Sequence, residues 1–568
     1  MPSGLNHRRA RTSATDPLRI DWVSVPKLDG RIGLTLCPGK QQRQGVFGHW
    51  DRDLMTDLGV VHHSDARVLV SLIQAREMQA LGVPSLGREA DALGLEWHHL
   101  PIPDMQVPDE TFETRWTYAG QRLRRCLARQ EHLVLHCMGG LGRAGTVAAR
   151  LLVEFGVDPA EAITRVRAAR PGAIENARQE AYVRRCIPVR HAGEPLTDAD
   201  RVLGCLLGGA VGDAFGYAVE FSSWSDIRRQ HGADGLREPV LSHAGTAQVS
   251  DDTQMTLFTL EACVEAAMTA PSGTEPFVAR LHRAYLDWLD TQAATMAGWH
   301  PAGRLVHLPV LRARRAPGQT CVSALQSGIC GTVEHSINAS KGCGGVMRIA
   351  PIGLVRAFTP AEVFDRAART AAITHGHPSG YRSAGALAAM LRLCLDGADL
   401  AAGADVALAM LGETRGGDET ARAVAHALRL ATARRADHPS TIAELGEGWV
   451  GEEALAIGLY AALVAPSFEA AIRIAANHSG DSDSTASIAG QLYGVWKGLD
   501  GLPHRWVRPI DVLDPLLELI ARLLGPRDPP PTETAGVTPA AQSVDSACTR
   551  RTAPGRVRVP ARRSPRAS

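Results

Sequence analysis

The pattern of hydrophobic positions changes near residue 200. Before it, short apolar runs at 32–36, 66–72 and 133–135 alternate with helix-period segments, which predicts a mixed α/β domain over residues 19–190. After it, alanine- and leucine-rich helical patterns such as LFTLEACVEAAM and RSAGALAAMLRLCL dominate, with glycine-rich interruptions. We therefore expect an all-helical domain over residues 201–524, joined to the first by the polar linker HAGEPLTDAD at 191–200.

Both ends of the chain lack an apolar pattern. The first 18 residues are basic and carry no hydrophobic segment of a secretory signal, so they are interpreted as a disordered arm, with a transit peptide as the alternative. Residues 525–568 begin with PRDPPP and become arginine-rich, which is typical of disorder. We expect folded structure between these two ends.

The composition narrows the classes of function. The 568 residues carry a net charge of +1, which gives no bulk positive charge for nucleic acid. No apolar run approaches the length of a membrane span, so no membrane association is expected. Eleven scattered cysteines without a C-x-x-C pair favour a reducing compartment and no cysteine zinc site. These features predict a cytoplasmic protein.

The stretch HCMGGLGRAG at 136–145 fits two motifs. Its G-L-G-R-A-G part matches the dinucleotide-binding pattern, but the following DPAEAITRVRAARPGAIENARQEAYVRRC is helical throughout and supplies no second strand. The alternative is a cysteine phosphatase loop. Cys137 would follow a strand and face a helix N-terminus, where a thiolate is favoured. A buried structural cysteine beside a glycine turn is the non-catalytic explanation.

Phosphatase chemistry assigns a role to each part of this loop. Backbone N–H groups around Gly139, Gly140 and Gly142 would surround a phosphate, and Arg143 would hold two of its oxygens. Cys137 would take the phosphoryl group before water removes it. The leaving hydroxyl needs a proton, for which LPIPDMQVPD offers Asp104 and Asp109.

About 160 residues carry a resemblance to the dual-specificity phosphatases, closest to the kinase-associated branch. The matching stretches are RIGLTLCPG, WHHLPIPDMQVPD, HCMGGLGRAGTVAARLL and ARPGAIENARQEAYV. The resemblance implies Asp104 as general acid and Gln179 as the residue that positions water. Ala144 departs from the family, which usually has a serine or threonine there that helps the cysteine leave in the second step.

Two acidic clusters, VSDDTQ at 249–254 and SGDSDST at 479–485, each open a predicted helix. Taken singly, either is explained as a helix N-cap. Together they offer four carboxylates and several hydroxyls, the oxygen donors that Mg²⁺ or Mn²⁺ prefers. An EF-hand is excluded, because the sixth position from Asp481 is not glycine and the twelfth is Leu492.

The helical half resembles the ADP-ribosylglycohydrolases over about 300 residues. The motifs, in order, are GCLLGGAVGDAFGYAVEF, SDDTQMTLFTLEA, GCGGVMRIAPIGL, THGHPSGY, GEGWVGEEALAIGLYAAL and NHSGDSDSTASIAGQLYG. The resemblance implies an all-α bundle with two divalent cations, Mg²⁺ or alternatively Mn²⁺, in a cleft.

The residues carried over from this resemblance fall into three groups. Glu220 matches a mobile acidic residue near the metals, and Trp449 lies in a motif that lines the cleft. The implied metal ligands are Ser250, Asp251, Asp252, Asp481, Asp483 and Ser484. The implied substrate contacts are Gly342, Gly344, Gly345, Met347 and His375.

The sequence thus predicts a bifunctional hydrolase, with a cysteine phosphatase followed by a metal-dependent ADP-ribosylglycohydrolase. Its partners would be an ADP-ribosylated protein or ADP-ribose conjugate and a phosphorylated substrate. One alternative keeps the hydrolase and makes the N-terminal half a phosphate-binding module, which Ala144 supports. Another makes the whole chain a binding protein.

Overall fold

The computed structural model describes residues 10–45, 48–189, 196–269, 273–294, 298–433 and 435–525. An N-terminal α/β domain is followed by a helical domain, as the hydrophobic pattern predicts. The two pack into one compact unit that extends to Gly525. Within the described residues, no helix combines the length and the apolar character needed to cross a bilayer.

The N-terminal domain is built on a five-stranded sheet. Its strands and those of a small hairpin are β1 (Asp21–Ser24), β2 (Arg31–Thr35), β3 (Gln41–Gly45), β4 (Gly48–Asp51), β5 (Ala66–Ser71), β6 (Glu96–His99) and β7 (His132–His136). The sheet order is β1-β2-β7-β5-β6, with β1 antiparallel to β2 and the other pairs parallel. Strands β3 and β4 form a separate hairpin. The apolar runs at 32–36, 66–72 and 133–135 therefore supply the three adjacent strands β2, β5 and β7, whose apolar residues are buried.

Seven helices complete the described part of this domain. They are α1 (Leu54–His62), α2 (Ala75–Ala80), α3 (Leu86–Ala92), α4 (Glu110–Ala128), α5 (Gly142–Glu154), α6 (Pro159–Ala169) and α7 (Ala177–Arg185). The chain continues from α5 through α6 and α7 without a strand, which confirms that the dinucleotide-binding unit is absent here.

The C-terminal domain is helical. Its α-helices are α8 (Asp198–Gly216), α9 (Trp224–His231), α10 (Asp251–Thr269), α11 (Thr274–Thr291), α12 (Gln319–Gln326), α13 (Ala350–Gly353), α14 (Pro360–Ala372), α15 (Pro378–Leu395), α16 (Leu400–Gly412), α17 (Asp418–Ala433), α18 (His438–Ala443), α19 (Gly451–Val464), α20 (Phe468–Ala476), α21 (Ser482–Lys497), α22 (His504–Val507) and α23 (Leu513–Leu524).

Helices α8 and α21 approach each other closely along a row of glycines. A Cβ atom on Gly204 would lie 2.3 Å from the carbonyl oxygen of Gly494, and one on Gly208 would lie 2.4 Å from that of Gly490. Any side chain at these positions would push the helices apart. The contact brings the end of α8 against the start of α21, where the second acidic cluster lies.

Two of the expected boundaries need correction. Residues 10–18, expected within the disordered arm, are folded: the Arg11 N–H donates to His49 O, and Leu18 is buried in the core. This backbone pairing depends on a distant strand, so composition does not reveal it. At the other boundary, α8 begins at Asp198, inside the expected linker, because Thr197 and Asp200 form a capping box. The remaining predictions for the N-terminal arm, the linker and the C-terminal tail concern residues that lie outside the described part of the chain, namely 1–9, 190–195 and 526–568.

Candidate functional sites

The loop after β7 forms a compact cradle around Cys137. The Gly140 N–H donates to Cys137 Sγ at 3.2 Å. Gly140 has φ +73°, and a Cβ on it would lie 2.3 Å from Thr35 O, so this position requires glycine. Gly139 faces open space, and Gly142 begins α5. The thiol thus lies at a helix N-terminus, as the phosphatase motif requires.

Arg143 is buried and held in place by acceptors outside the loop. Its Nη1 donates to Glu77 Oε2 at 2.8 Å and to Ile102 O at 3.0 Å, and its Nη2 donates to Glu77 Oε1 at 3.0 Å. Asp104 Oδ1 lies 3.0 Å from the same Nη2, and the Asp104 side chain is 61% exposed. The structure therefore brings Cys137, Arg143 and Asp104 together and adds Glu77, which sequence reasoning missed.

Of the two candidate acids, Asp109 is placed differently. It is the N-cap of α4 and accepts a hydrogen bond from the Phe112 N–H at 2.9 Å. Its carboxylate therefore has a structural role at the start of α4, which leaves Asp104 as the candidate acid next to the loop.

Gln179 is buried against the cysteine loop. Its Nε2 donates to Gln106 O at 3.4 Å, and its Oε1 accepts from the Glu175 N–H at 2.9 Å. A Cβ on Gly142 would lie 2.9 Å from Gln179 Nε2. The side chain thus touches both the cysteine loop and the loop that carries Asp104.

Two buried groups near the cysteine were not singled out from the sequence. Lys40 is buried with its Nζ 5.3 Å from the Trp50 ring, and burial lowers its pKa while the nearby Cys37 and Cys137 raise it. His136 shares a 2.6 Å hydrogen bond with Ser71 Oγ, and burial lowers its pKa to about 3, so the ring is neutral. A cation and a neutral ring therefore border the thiol.

The two acidic clusters of the helical domain meet near the end of α8. Asp213 on α8 accepts hydrogen bonds from the Ser250 N–H at 2.8 Å and the Thr253 N–H at 2.9 Å, which fixes the start of α10. Asp483 stands at the start of α21 and accepts from the Ser484 N–H at 2.9 Å. Asp213 lies within the stretch GCLLGGAVGDAFGYAVEF, but it was not selected as a site residue from the sequence.

These carboxylates are buried among one another. Burial raises the pKa of Asp252 well above its ordinary value, and the charges of Asp483, Asp213, Asp251 and Asp481 raise it further. The pKa values of Asp251, Asp481 and Asp483 are also raised, chiefly by burial. Burial and then the charges of Asp483 and Asp251 raise the pKa of Glu220 to about 9. Such mutual repulsion is relieved when cations bind between the groups.

Two carboxylate oxygens of this acidic cluster lack hydrogen-bond partners within the described part of the chain. Asp252 Oδ2 and Glu220 Oε2 are buried and accept no hydrogen bond from these residues. Others are partly engaged: Asp251 Oδ2 accepts from the Gly318 N–H at 3.1 Å, and Ser250 Oγ from the Asp252 N–H at 3.2 Å. Buried carboxylate oxygens without donors fit the requirements of a hard divalent cation.

The glycine loop at 342–347 covers this cluster. The Cys343 thiol donates to Asp481 Oδ2 at 2.8 Å, and Ser484 Oγ lies 3.9 Å from Met347 Sδ. A Cβ on Gly344 would lie 3.0 Å from His375 Cε1, and one on Gly345 would lie 2.6 Å from Gly380 O. His375 thus packs against this loop. Its ring is neutral, because burial and the charge of Arg348 lower its pKa to about 3.

An aromatic pair stands at the rim of the acidic cluster. Phe221 follows Glu220, is 74% exposed and stacks on Trp449, which is 40% exposed, with ring centroids 6.1 Å apart. The Trp449 carbonyl accepts from the Cys343 N–H at 3.1 Å, so the pair is tied to the glycine loop. Trp449 is therefore a surface residue of the cleft, and its ring is free to contact a ligand.

The comparisons with known proteins agree with a division of the chain into two domains. The family model for ADP-ribosylglycohydrolase matches residues 194–532. A second model, described as the DSP-PTPase phosphatase domain of a Swiss Army Knife protein, matches residues 89–183.

Curated relatives match each half separately. Cyclin-dependent kinase inhibitor 3 of Rattus norvegicus is 30% identical over 172 residues, which cover 29% of this chain and 77% of the relative. ADP-ribosyl-[dinitrogen reductase] glycohydrolase of Rhodospirillum rubrum is 24% identical over 314 residues, 55% of this chain and 91% of the relative. ADP-ribosylarginine hydrolase Tri1 of Pseudomonas putida is 26% identical over 317 residues, which cover 55% of this chain and 74% of the relative. The chain belongs to the ADP-ribosylglycohydrolase family and carries, in front of that domain, a phosphatase domain of the dual-specificity class similar to cyclin-dependent kinase inhibitor 3.

Proposed function

We propose that the chain is a bifunctional hydrolase that removes ADP-ribose from a modified protein and hydrolyses a phosphate monoester at a separate site. The observation that supports the first activity best is the buried acidic cluster with unpartnered oxygens under the glycine loop. The implied ligands of two Mg²⁺ ions are Ser250, Asp251, Asp252, Asp481, Asp483 and Ser484. When bound, the cations would supply Lewis-acid polarisation and a water of lowered pKa.

The residues around the cluster have complementary tasks. The backbone of Gly342–Met347 would contact the phosphates and ribose of the substrate, while Glu220 would take or return a proton beside the glycosidic bond. The rings of Phe221 and Trp449 offer two faces to a cation. Since two relatives are named for an ADP-ribosylated reductase and for ADP-ribosylarginine, we propose an arginine acceptor, whose guanidinium would stack on this pair.

At the second site, Cys137 would attack phosphorus as a thiolate while the bond to the leaving oxygen breaks. Nη1 of Arg143 is fully used by Glu77 and Ile102, so a phosphate is left with Nε and Nη2. Because Nη2 also contacts Asp104, the arriving phosphate would displace that carboxyl. Once displaced from Arg143, Asp104 would lie beside the leaving oxygen as its proton donor. Gln179 would orient the water that then hydrolyses the phosphocysteine.

Divalent-metal removal should separate the two activities. We expect the purified chain to release ADP-ribose from an ADP-ribosylarginine peptide in Mg²⁺ and to lose this activity in EDTA, because the acidic cluster then has no cation. Hydrolysis of p-nitrophenyl phosphate should continue in EDTA, since the proposed chemistry uses the Cys137 thiol and the Arg143 guanidinium and needs no metal ion. An ADP-ribose release rate that EDTA leaves unchanged would refute the metal assignment.

The alternative of a phosphate-binding module depends on Ala144. This residue is buried and offers no hydroxyl, and the hydroxyl of Thr146 donates to Gly142 O at 2.8 Å instead of to the cysteine. The arrangement supports a slow second step, in which the sulfur leaves without a hydrogen-bond donor. The nucleophile Cys137 and the phosphate-binding loop are both retained, so the arrangement does not support a loss of either one.

Ala144→Ser should therefore accelerate breakdown of the phosphocysteine. A hydrogen bond to a charged group contributes about 1.5–3 kcal/mol, which corresponds to roughly a ten- to hundredfold change in rate. With p-nitrophenyl phosphate, the wild type should show a burst of about one nitrophenolate per enzyme, and the variant should raise the slow phase but not the burst rate. Thr146→Val is the matched control and should leave the slow phase unchanged. Complete absence of a burst and of turnover in the wild type would favour the binding module.

A further inference from the structure

The loop that carries Asp104 runs from the end of β6 to the start of α4, and the helical domain touches both of these anchors. His504 at the start of α22 approaches β6 with one ring nitrogen and α4 with the other. Its Nε2 lies 2.9 Å from Trp97 O, and its Nδ1 lies 2.6 Å from the Tyr118 hydroxyl. One imidazole of the helical domain therefore bridges the two elements between which the loop is suspended.

The chemistry of the two contacts fixes the tautomer of His504. The Trp97 carbonyl can only accept, so Nε2 must carry the proton. Nδ1 then holds the lone pair and accepts from the Tyr118 O–H. Burial lowers the pKa of His504 well below its ordinary value and raises the pKa of Tyr118, so both groups stay neutral and the two hydrogen bonds persist.

Glu96, His98 and His504 have side-chain types that bind zinc, and their ligand atoms lie within 4.8 Å of one another. Their contacts indicate a hydrogen-bonded network instead. The rings of His98 and His504 are stacked with centroids 4.0 Å apart, so their in-plane lone pairs do not converge on one ion. The Glu96 carboxylate accepts from Arg122 Nε at 2.6 Å and pairs with His98 Nε2 at 2.7 Å.

Close packing between the domains is interrupted at this point. A cavity of about 310 Å³ lies beside His504 and is lined by Trp97, Leu100, Tyr118 and Leu517, among others. Side chains that border a cavity lose packing contacts there, so the hydrogen bonds of His504 act beside the direct ion pair of Arg122 with Glu96 in holding the two anchors together. Beyond His99, the chain continues through Leu100 and Ile102, whose N–H groups donate to Ser71 O and Leu72 O, directly to Asp104.

We infer that His504 of the hydrolase domain is a positioning residue for the phosphatase site, because it links the two anchors of the Asp104 loop. The inference rests on the phosphatase activity proposed above. The helical domain therefore contributes to phosphoryl transfer through the position of the general acid, without touching the substrate.

Leaving-group dependence tests this inference, because an acid matters most when the leaving oxygen is strongly basic. For His504→Phe, kcat/KM for phenyl phosphate should fall at least about tenfold, while that for p-nitrophenyl phosphate, whose leaving group needs little protonation, should fall less than about threefold. Tyr118→Phe removes only the hydrogen bond between His504 and α4. It should lower kcat/KM for phenyl phosphate more than that for p-nitrophenyl phosphate, but by a smaller factor than His504→Phe does. ADP-ribose release should not change.

Asp500→Asn is the matched control. It weakens different contacts between the domains, those of Asp500 with Arg125 Nε and with Arg129, each at 2.7 Å, near the far end of α4. This variant should leave both values of kcat/KM within about twofold of the wild type, because these contacts lie at the end of α4 that is remote from the Asp104 loop. Equal losses for the two substrates in His504→Phe, or the same selective loss in Asp500→Asn, would overturn the inference.

Hydrogen exchange gives a readout that does not need turnover. Amides in 100–109 should exchange at least about tenfold faster in His504→Phe and in Tyr118→Phe than in the wild type or in Asp500→Asn. Unchanged exchange in both variants overturns the positioning role. A wild type that hydrolyses no aryl phosphate refutes the proposed phosphatase activity instead, and the exchange experiment still decides whether His504 positions the loop.

Discussion

The Cys137→Ser protein is expected to hydrolyse no aryl phosphate while it releases ADP-ribose at the wild-type rate. A serine hydroxyl is not ionised at neutral pH, so the phosphoryl acceptor is lost. The Gly140 N–H that donates to the sulfur can donate equally to an oxygen, and the loop should keep its shape. The acidic cluster lies in the other domain and shares no described contact with this loop.

The measurement is the steady-state rate with p-nitrophenyl phosphate and, on the same sample, ADP-ribose release in Mg²⁺. Cys126→Ser is the matched control: this buried thiol of the same domain donates to His132 O, a bond that a serine hydroxyl can also make. The control should retain both activities. Loss of both activities in Cys137→Ser would mean that the two sites are not independent.

Asp252→Asn and Asp483→Asn should each lower ADP-ribose release at least about 100-fold, because loss of a ligand carboxylate weakens the bound cation and its water. A second effect follows from the buried charges. In EDTA the Asp252→Asn protein should unfold at a higher temperature than the wild type, since it loses an unpartnered carboxylate that its neighbours repel.

Asp287→Asn provides the contrast. Asp287 is a buried acid of the same domain whose oxygens accept from Trp299 Nε1 at 2.9 Å and from the Gly303 N–H at 2.7 Å. This variant should keep its turnover and lose stability, because it gives up satisfied hydrogen bonds. Near-normal turnover of both cluster variants in Mg²⁺ would show that the ligand assignment is wrong.

Local patterns predicted three strands of the sheet, β2, β5 and β7, and the change to a helical domain, but not β1, β3, β4 or β6. The alternation of valine and leucine predicted β5, and the serine and aspartate residues predicted the starts of α10 and α21. The spacing from Cys137 to Arg143 is a local property of one loop, so the sequence alone could indicate it. Its role in catalysis stays a prediction, as do the metal ligands and the cytoplasmic location.

The supporting contacts could not be predicted, because they join residues far apart in sequence. Glu77 lies 66 positions before Arg143, and no spacing rule connects them. The arginines of α4 would be assigned to solvent from the sequence, yet Arg122 is only 12% exposed and pairs with Glu96, and Arg125 is buried and pairs with Asp500. Charged residues are rarely buried without partners, and these partners come from other strands and from the other domain.

The glycine contact between α8 and α21 also bears on how the chain is made. Positions 204 and 494 lie 290 residues apart, so this pairing cannot form until the ribosome has released almost the whole helical domain. Contacts between such distant residues form slowly, because the intervening chain must be ordered first. On a nascent chain, the N-terminal sheet would therefore be complete before α8 and the first acidic cluster can contact α21 and the second acidic cluster. Polypeptides that stop before α21 should carry a folded cysteine loop and no acidic centre.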